Sequence, residues 1–416
     1  MRRNVSIEAV LIVQVVFLVG VVTSLVTAGP SLRGRLEREF TGRPVLPVVP
    51  IPRETPLTIE PLYDDPEVVS DEELAAVLKK VQPRFPKSQL KPNFVEHALR
   101  TWWLKAEFQD PDVMSGQALK DYLVDHGKYL ASWGNDVEPL LMDRPEGVAI
   151  RWGKETGASV HHDHWLASLT EAGVGLHEPV FTPSRQDMTI YNVLQEALRD
   201  FRVDEVETEW SALAFGLWLP PTKSWQSNNG RELSFDILAQ RLMRGDKKLG
   251  VCSGTHRVYS LMVLIRLDDE YHILSPEIRT AAYSHLERVR DLISESQFPD
   301  GHWASNWADG KVSVEKPISD EAFKHVIATG HHLEWLAIAP TDLHPPREVI
   351  LKAADWVIRT TTEQTQSQIL ERYTFFSHVG NALSLWRKTH PADFWKKWEA
   401  EHPYDPEAPV SALDVR

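Results

Sequence analysis

The sequence predicts an all-α protein, an (α/α)6 toroid of six helix pairs preceded by one transmembrane or signal-anchor helix. Three observations lead there. Nearly the same heptapeptide occurs twice, as His161-His162-Asp163-His164-Trp165-Leu166-Ala167 and as His331-His332-Leu333-Glu334-Trp335-Leu336-Ala337. Fainter copies of this polar, aromatic-flanked turn follow His97, Glu207, His256 and His378, at intervals of 45–76 residues, which is the mark of repeated helical units. Amphipathic segments alternate with more apolar ones through the same region, and no strong period-two pattern competes with them.

Taken in order, residues 9–28 carry no charge and consist mainly of Val, Leu, Ile and Phe after Arg2 and Arg3. About twenty apolar residues is the length that spans a bilayer as a helix. The small residues Val26-Thr27-Ala28 leave a cleaved signal peptide as the rival reading. Arginines stand on both sides of the run (Arg33, Arg35, Arg38 and Arg43 follow it), but long downstream domains translocate largely regardless of charge. The expectation is a single-pass membrane protein with an exported body, its anchor in 1–30.

Residues 31–69 read as a proline-rich tether. Pro44, Pro47, Pro50, Pro52, Pro56, Pro61 and Pro66 exclude a helix and favour an extended strip that packs on nothing. At Ser70-Asp71-Glu72-Glu73 a capping-box pattern starts the toroid domain, 70–390. Amphipathic helices are predicted near 71–82, 115–131, 188–201, 231–244, 275–295 and 346–361. Each precedes a more apolar partner, near 92–107, 160–173, 205–218, 254–268, 321–338 and 372–388. An apolar helix is buried on most sides and an amphipathic one on one side, so the pairs read as inner and outer. An open superhelix of the same pairs is the structural alternative. Residues 391–416 form a C-terminal extension.

Composition narrows the function. A net charge of −14 argues against nucleic acid and anionic membrane surfaces as main partners. Cys252 is the single cysteine, which excludes an internal disulfide or a four-cysteine zinc site. Fifteen tryptophans fit either a large core or a cavity lined for stacking.

Gln297-Phe298-Pro299-Asp300-Gly301-His302-Trp303 resembles the Gln-x-x-x-Gly-x-Trp motif of the terpenoid cyclase and protein prenyltransferase toroids. The motif stands at the end of an outer helix, where that superfamily places it. The resemblance implies the α/α-toroid fold over residues 70–390 and a structural role for Trp303, and fold analogy adds an isoprenoid-like ligand. The superfamily's catalytic motifs are absent: there is no Asp-x-Asp-Asp, Asp268-Asp269-Glu270-Tyr271-His272 is not Asp-Asp-x-x-Asp, and Gly250 stands where an Asp-x-Cys zinc motif needs its acid.

If the inner helices run parallel around a ring, their equivalent turns gather at one mouth. The candidate catalytic residues are then His162, His164, Glu207, Glu209, His256 and His332, as general bases oriented by carboxylates or as a carboxylate pair for glycoside cleavage. Cys252 and His256, four residues apart, complete a zinc-type set with His332, or with its neighbour His331. Each has a bland counterpart: a buried cysteine with a capping histidine, or acids that favour a helix N-terminus. Three functions remain open. One is a His/Glu/Trp-lined cavity that binds and transforms an organic, isoprenoid-like ligand. The others are a carbohydrate lyase or hydrolase, and a non-catalytic anchored scaffold. The partners expected are thus a small molecule or glycan, and the membrane through the N-terminal helix.

Overall fold

The computed structural model describes residues 7–27, 47–244 and 251–406. It is predominantly helical, 56% helix in 17 helices with little sheet. Ile7–Thr27 form α1, whose described side chains (11–20 and Thr23) are exposed. Among the described residues no helix is long and apolar enough to cross a membrane. Of the anchor expected in 1–30, residues 1–6 and 28–30 lie outside the described residues.

The body starts where the cap pattern puts it. Ser70 accepts from the Glu73 backbone N–H, and the Glu73 carboxylate accepts from Ser70, opening α2 (Asp71–Lys80). Then come α3 (Pro92–Trp102), with proline at its first turn, and α4 (Gly116–Val124). The helix expected over 115–131 is two helices. Asp125 leaves helical geometry and its side chain caps a fresh one, α5 (His126–Trp133). The chain continues through α6 (His164–Glu171), α7 (Ile190–Asp200), α8 (Glu209–Trp218), α9 (Phe235–Met243), α10 (Thr255–Tyr271) and α11 (Pro276–Ser296). Short α12 (Lys311–Glu315) precedes α13 (Ala322–Ile338), α14 (Arg347–Thr362), α15 (Gln366–Glu371), α16 (Tyr373–Trp386) and α17 (Pro391–Glu401). Three two-stranded antiparallel hairpins decorate the loops: β1 (Leu141–Arg144) with β2 (Gly147–Ile150), β3 (Pro179–Val180) with β4 (Met188–Thr189), and β5 (Trp225–Gln226) with β6 (Glu232–Leu233).

The helices expected to be inner pack in cyclic order: α3 on α6, α6 on α8, α8 on α10, α10 on α13, α13 on α16, and α16 on α3. Every residue of α8 is buried, as a helix enclosed on all sides requires. The Gln297 motif is structural. Gln297 Nε2 donates to the Gly301 and Val349 carbonyls, and fully buried Trp303 donates from Nε1 to the Ile293 carbonyl at 2.8 Å. Gly301 has φ +108°, and a Cβ there would fall 2.2 Å from the Lys352 carbonyl oxygen, so no other residue fits that turn.

Two expected boundaries are corrected. From residue 47 the proline-rich segment is a strap on the body: Leu57, Ile59 and Tyr63 pack on the core, and Val68 and Val69 are buried. Its backbone supplies what helix ends lack. The amides of Arg53, Leu57, Leu62 and Asp65 donate to the carbonyls of Trp218, Leu217, Ala337 and Trp386, at the C-termini of α8, α13 and α16. An extended chain has free N–H groups to donate, so prolines that forbid a helix suit this role. The C-terminal extension likewise holds a packed helix, α17, with Trp395 buried against the Trp102 ring of α3.

Candidate functional site

The cyclic packing of these six helices brings one aromatic or imidazole ring from each to a common interior. His97 (α3) lies 4.5 Å from His164 (α6), centroid to centroid, and His164 lies 4.4 Å from Trp210 (α8). Trp210 is 4.2 Å from His256 (α10), which is 4.4 Å from His331 (α13). His331 is 3.9 Å from His378 (α16), and His378 closes the circuit on His97 at 5.2 Å. All six side chains are buried, and burial holds the five imidazoles well below their ordinary protonation range.

Carboxylates and one arginine complete the cluster. Arg100, one turn beyond Glu96 on α3, reaches Glu171 from Nε at 2.5 Å and Glu334 from Nη1 at 2.8 Å. Burial opposes its charge, but these two carboxylates keep it firmly protonated. Asn381 donates to Glu334 at 2.6 Å, and the Tyr259 hydroxyl donates to Glu171 at 2.7 Å. His378 Nδ1 lies 3.1 Å from Glu334 and 3.0 Å from Arg100. Glu96 sits 2.5 Å from His164 Nδ1, and burial pushes its carboxyl up to about 8. A neutral Glu96 donates its proton to that nitrogen.

His256 and His331 face each other with Nε2 atoms 2.9 Å apart. Cys252 completes a group of one sulfur and two ring nitrogens that lie within 4.8 Å of one another. Three left-handed residues in succession place it: Cys252 (φ 49°), Ser253 (φ 60°) and Gly254 (φ 81°) turn the chain into α10. Two non-glycine residues in that region cost of order 1–3 kcal/mol each, held only because the surroundings over-determine them. Cysteine and imidazole are a zinc-type donor set. Burial pushes the Cys252 thiol up to about 12, so a metal would have to displace its proton. A second group, His331, Glu334 and His378, is also within 4.8 Å, but the Arg100 charge beside Glu334 and His378 opposes a cation there.

The expected site residues divide accordingly. His164, His256 and Cys252 belong to the interior. His332 does not, and His331 takes its place. Neighbouring helix positions differ by 100°, so only one of two adjacent histidines can face the axis. His332 lies against Trp303 and Trp307, accepts from Trp335 Nε1 at 3.1 Å, and is pushed down to about 3 by burial alone. His162 and Glu207 stay at the rim because α6 and α8 begin later than expected, at His164 and Glu209. Left-handed Asp163 turns His162 toward Glu205, 3.0 Å away, and His161 pairs with Glu207 at 2.9 Å. Glu209 is buried but engaged, accepting from the Thr208 amide at 2.7 Å and from Arg257 at 3.3 Å. Glu207 and Glu209 are thus tied to different partners. Sequence reasoning missed Glu96, Arg100, Glu171, Glu334 and Asn381. The signal was there in part: Glu96 with Arg100, His331 with Glu334 and His378 with Asn381 are i,i+4 or i,i+3 pairs that share a helix face.

At the C-terminal end of the inner helices, a small cavity of about 30 Å³ lies among Arg100, Glu171, Tyr259 and Asn381, beneath Leu57–Ile59 of the strap. Such a space holds little more than a water. Comparison with family models, curated proteins and solved structures finds no match for this chain.

Proposed function

We propose that the chain is a membrane-anchored (α/α)6 toroid, of the terpenoid cyclase and prenyltransferase architecture, that holds a zinc-type ion on Cys252, His256 and His331. The cyclic packing of six inner helices and the Gln297–Trp303 turn support the architecture. Anchoring is supported by α1, whose apolar side chains from Leu11 to Val19 are all more than half exposed and need an apolar medium. An exported body stays the reading on the side of the membrane.

The observation that carries the metal reading is the meeting of the Cys252 thiol, on a strained turn, with the neutral imidazole of His256 one turn on and that of His331 from a helix distant in sequence. Three protein ligands with an open fourth position are the pattern of a catalytic rather than a structural zinc, and such an ion supplies Lewis-acid activation of water or a carbonyl. Around it, Arg100, Glu171 and Glu334 would orient a polar substrate. An isoprenoid-like ligand has less support, because this interior is ionic rather than apolar. The scaffold reading keeps one observation in its favour, the small free volume of the interior.

The test is metal content of the full chain purified in detergent, with Co²⁺ absorption as a reporter of thiolate ligation. One equivalent of metal is expected, lost in Cys252→Ser and His331→Ala and kept in His332→Ala. A wild-type chain without stoichiometric metal after growth in zinc, and without a Co²⁺–thiolate band, would overturn the reading.

A further inference from the structure

A second site lies outside the helical interior, in a cleft of about 260 Å³ between the β1–β2 hairpin, the outer helix α7 and the turn before α6. We propose that this cleft binds a neutral, polyhydroxylated ring, a single sugar unit of a glycan. The proposal is independent of the metal reading and uses none of its ligands.

The floor is apolar, made by Val148 and Ile150 of β2 and by Val193 and Ala197 of α7. Trp152 stands at the edge, its ring in edge contact with His162 at 5.2 Å and half of its surface exposed. A large aromatic ring left open at the rim of a cleft is costly unless something covers it, and pyranose C–H faces are suited to do so. The walls carry both signs. Arg144 and Asp200 line the cleft together with charges already paired: Arg151 with Glu155, and His162 with Asp163. Among the described residues, neither Arg144 nor Asp200 has a side-chain hydrogen bond or ion pair, while Glu196 pairs with Arg199 and Glu155 with Arg151.

That mixture selects the ligand class. A cation would be drawn to the acids but meet Arg144. An anion would suit Arg144 but face the Asp200 carboxylate, with those of Glu155, Asp163 and Glu196 close by. A neutral ring bearing several hydroxyls uses both, donating to Asp200 and accepting from Arg144, while its apolar face lies on Trp152. The volume falls just short of the ~300 Å³ at which drug-sized pockets begin, which fits one ring rather than a buried oligomer. The cleft opens to solvent at Trp152, so a longer glycan could leave by that edge.

The experiment is titration of the full chain, in a detergent without a sugar headgroup, with glucose and N-acetylglucosamine. Glucosamine and glucuronate serve as the matched cation and anion, and saturation-transfer NMR and calorimetry as readouts. At least one neutral sugar should bind with Kd on the order of 1 mM. Both charged analogues should bind at least about fivefold more weakly. Trp152→Ala should weaken binding about tenfold and Asp200→Asn severalfold, while Trp152→Phe retains most of it. None of these exposed changes should alter the unfolding midpoint, and His331→Ala should leave sugar binding intact. Three results would overturn the proposal: no saturable binding of either neutral sugar up to roughly 50 mM, preference for a charged analogue, or full binding by folded Trp152→Ala.

Discussion

Removing the Arg100 guanidinium should be among the most destabilising single changes in the body. Arg100→Met keeps much of the aliphatic stem and deletes the charge. It strands Glu334, which is fully buried, and Glu171, whose side chain is 13% exposed. Breaking a buried pair by removing one partner costs about 3–5 kcal/mol, because the other charge stays behind unpaired. Two retained contacts pull the value toward the low end: Asn381 still donates to Glu334 and Tyr259 to Glu171. Roughly 3–4 kcal/mol is expected, most of it from Glu334. With a urea slope near 3 kcal/mol/M, the midpoint should fall by about 1 M. The double variant Arg100→Met, Glu334→Gln removes the stranded charge and should recover part of the loss. Urea titration of the four corners of that cycle decides the matter. If Arg100→Met costs under about 1 kcal/mol, or if the double variant is no better than the single one, the cluster is not the buried ionic network described.

Other consequences follow from the same geometry. Trp303→Ala should cost about 3–5 kcal/mol, since it empties a buried indole site and frees the Ile293 carbonyl. An unchanged melting midpoint would contradict its closing role. Deleting residues 1–46 should leave the unfolding transition in place. Deleting 1–69 should cost several kcal/mol, because two buried valines and four amide caps go with it, and equal stability of the two truncations would refute the strap. Stability should peak near pH 6.5 in urea titrations across pH 5–9, and a flat profile would contradict the burial of these groups. His97, His164, His256, His331, His332 and His378 have native values below the usual 6.5, so the stability they lend is present above 6.5 and lost as pH falls. Glu96, raised to about 8, and His162, which Asp163 and Glu205 raise to about 9 against its burial, lend stability that is lost as pH rises through those values.

The helices were legible because their signals are local. Ser70 with Glu73 and the apolar runs after His256 and His331 act within one or two turns. Enclosed helices were legible too, since burial on all sides leaves a uniformly apolar helix such as α8. What stayed hidden depends on where a turn ends. The two heptapeptides look like equivalent positions, yet the first straddles the start of α6 and the second lies in the middle of α13. One residue of offset rotates a side chain by 100°, enough to send His332 into a tryptophan cage and His331 to the axis.

The strap shows the same limit from the other side. Proline content correctly excludes a helix between 47 and 69, but absence of a helix is not absence of structure. Helices α8, α13 and α16 end with carbonyls that their own turns leave unpaired, and that debt is not visible in any local window. It is met by a segment far away in sequence whose amides are free because it is extended. The strap's Leu57, Thr58 and Ile59 also roof the Arg100–Glu171–Tyr259 end of the interior.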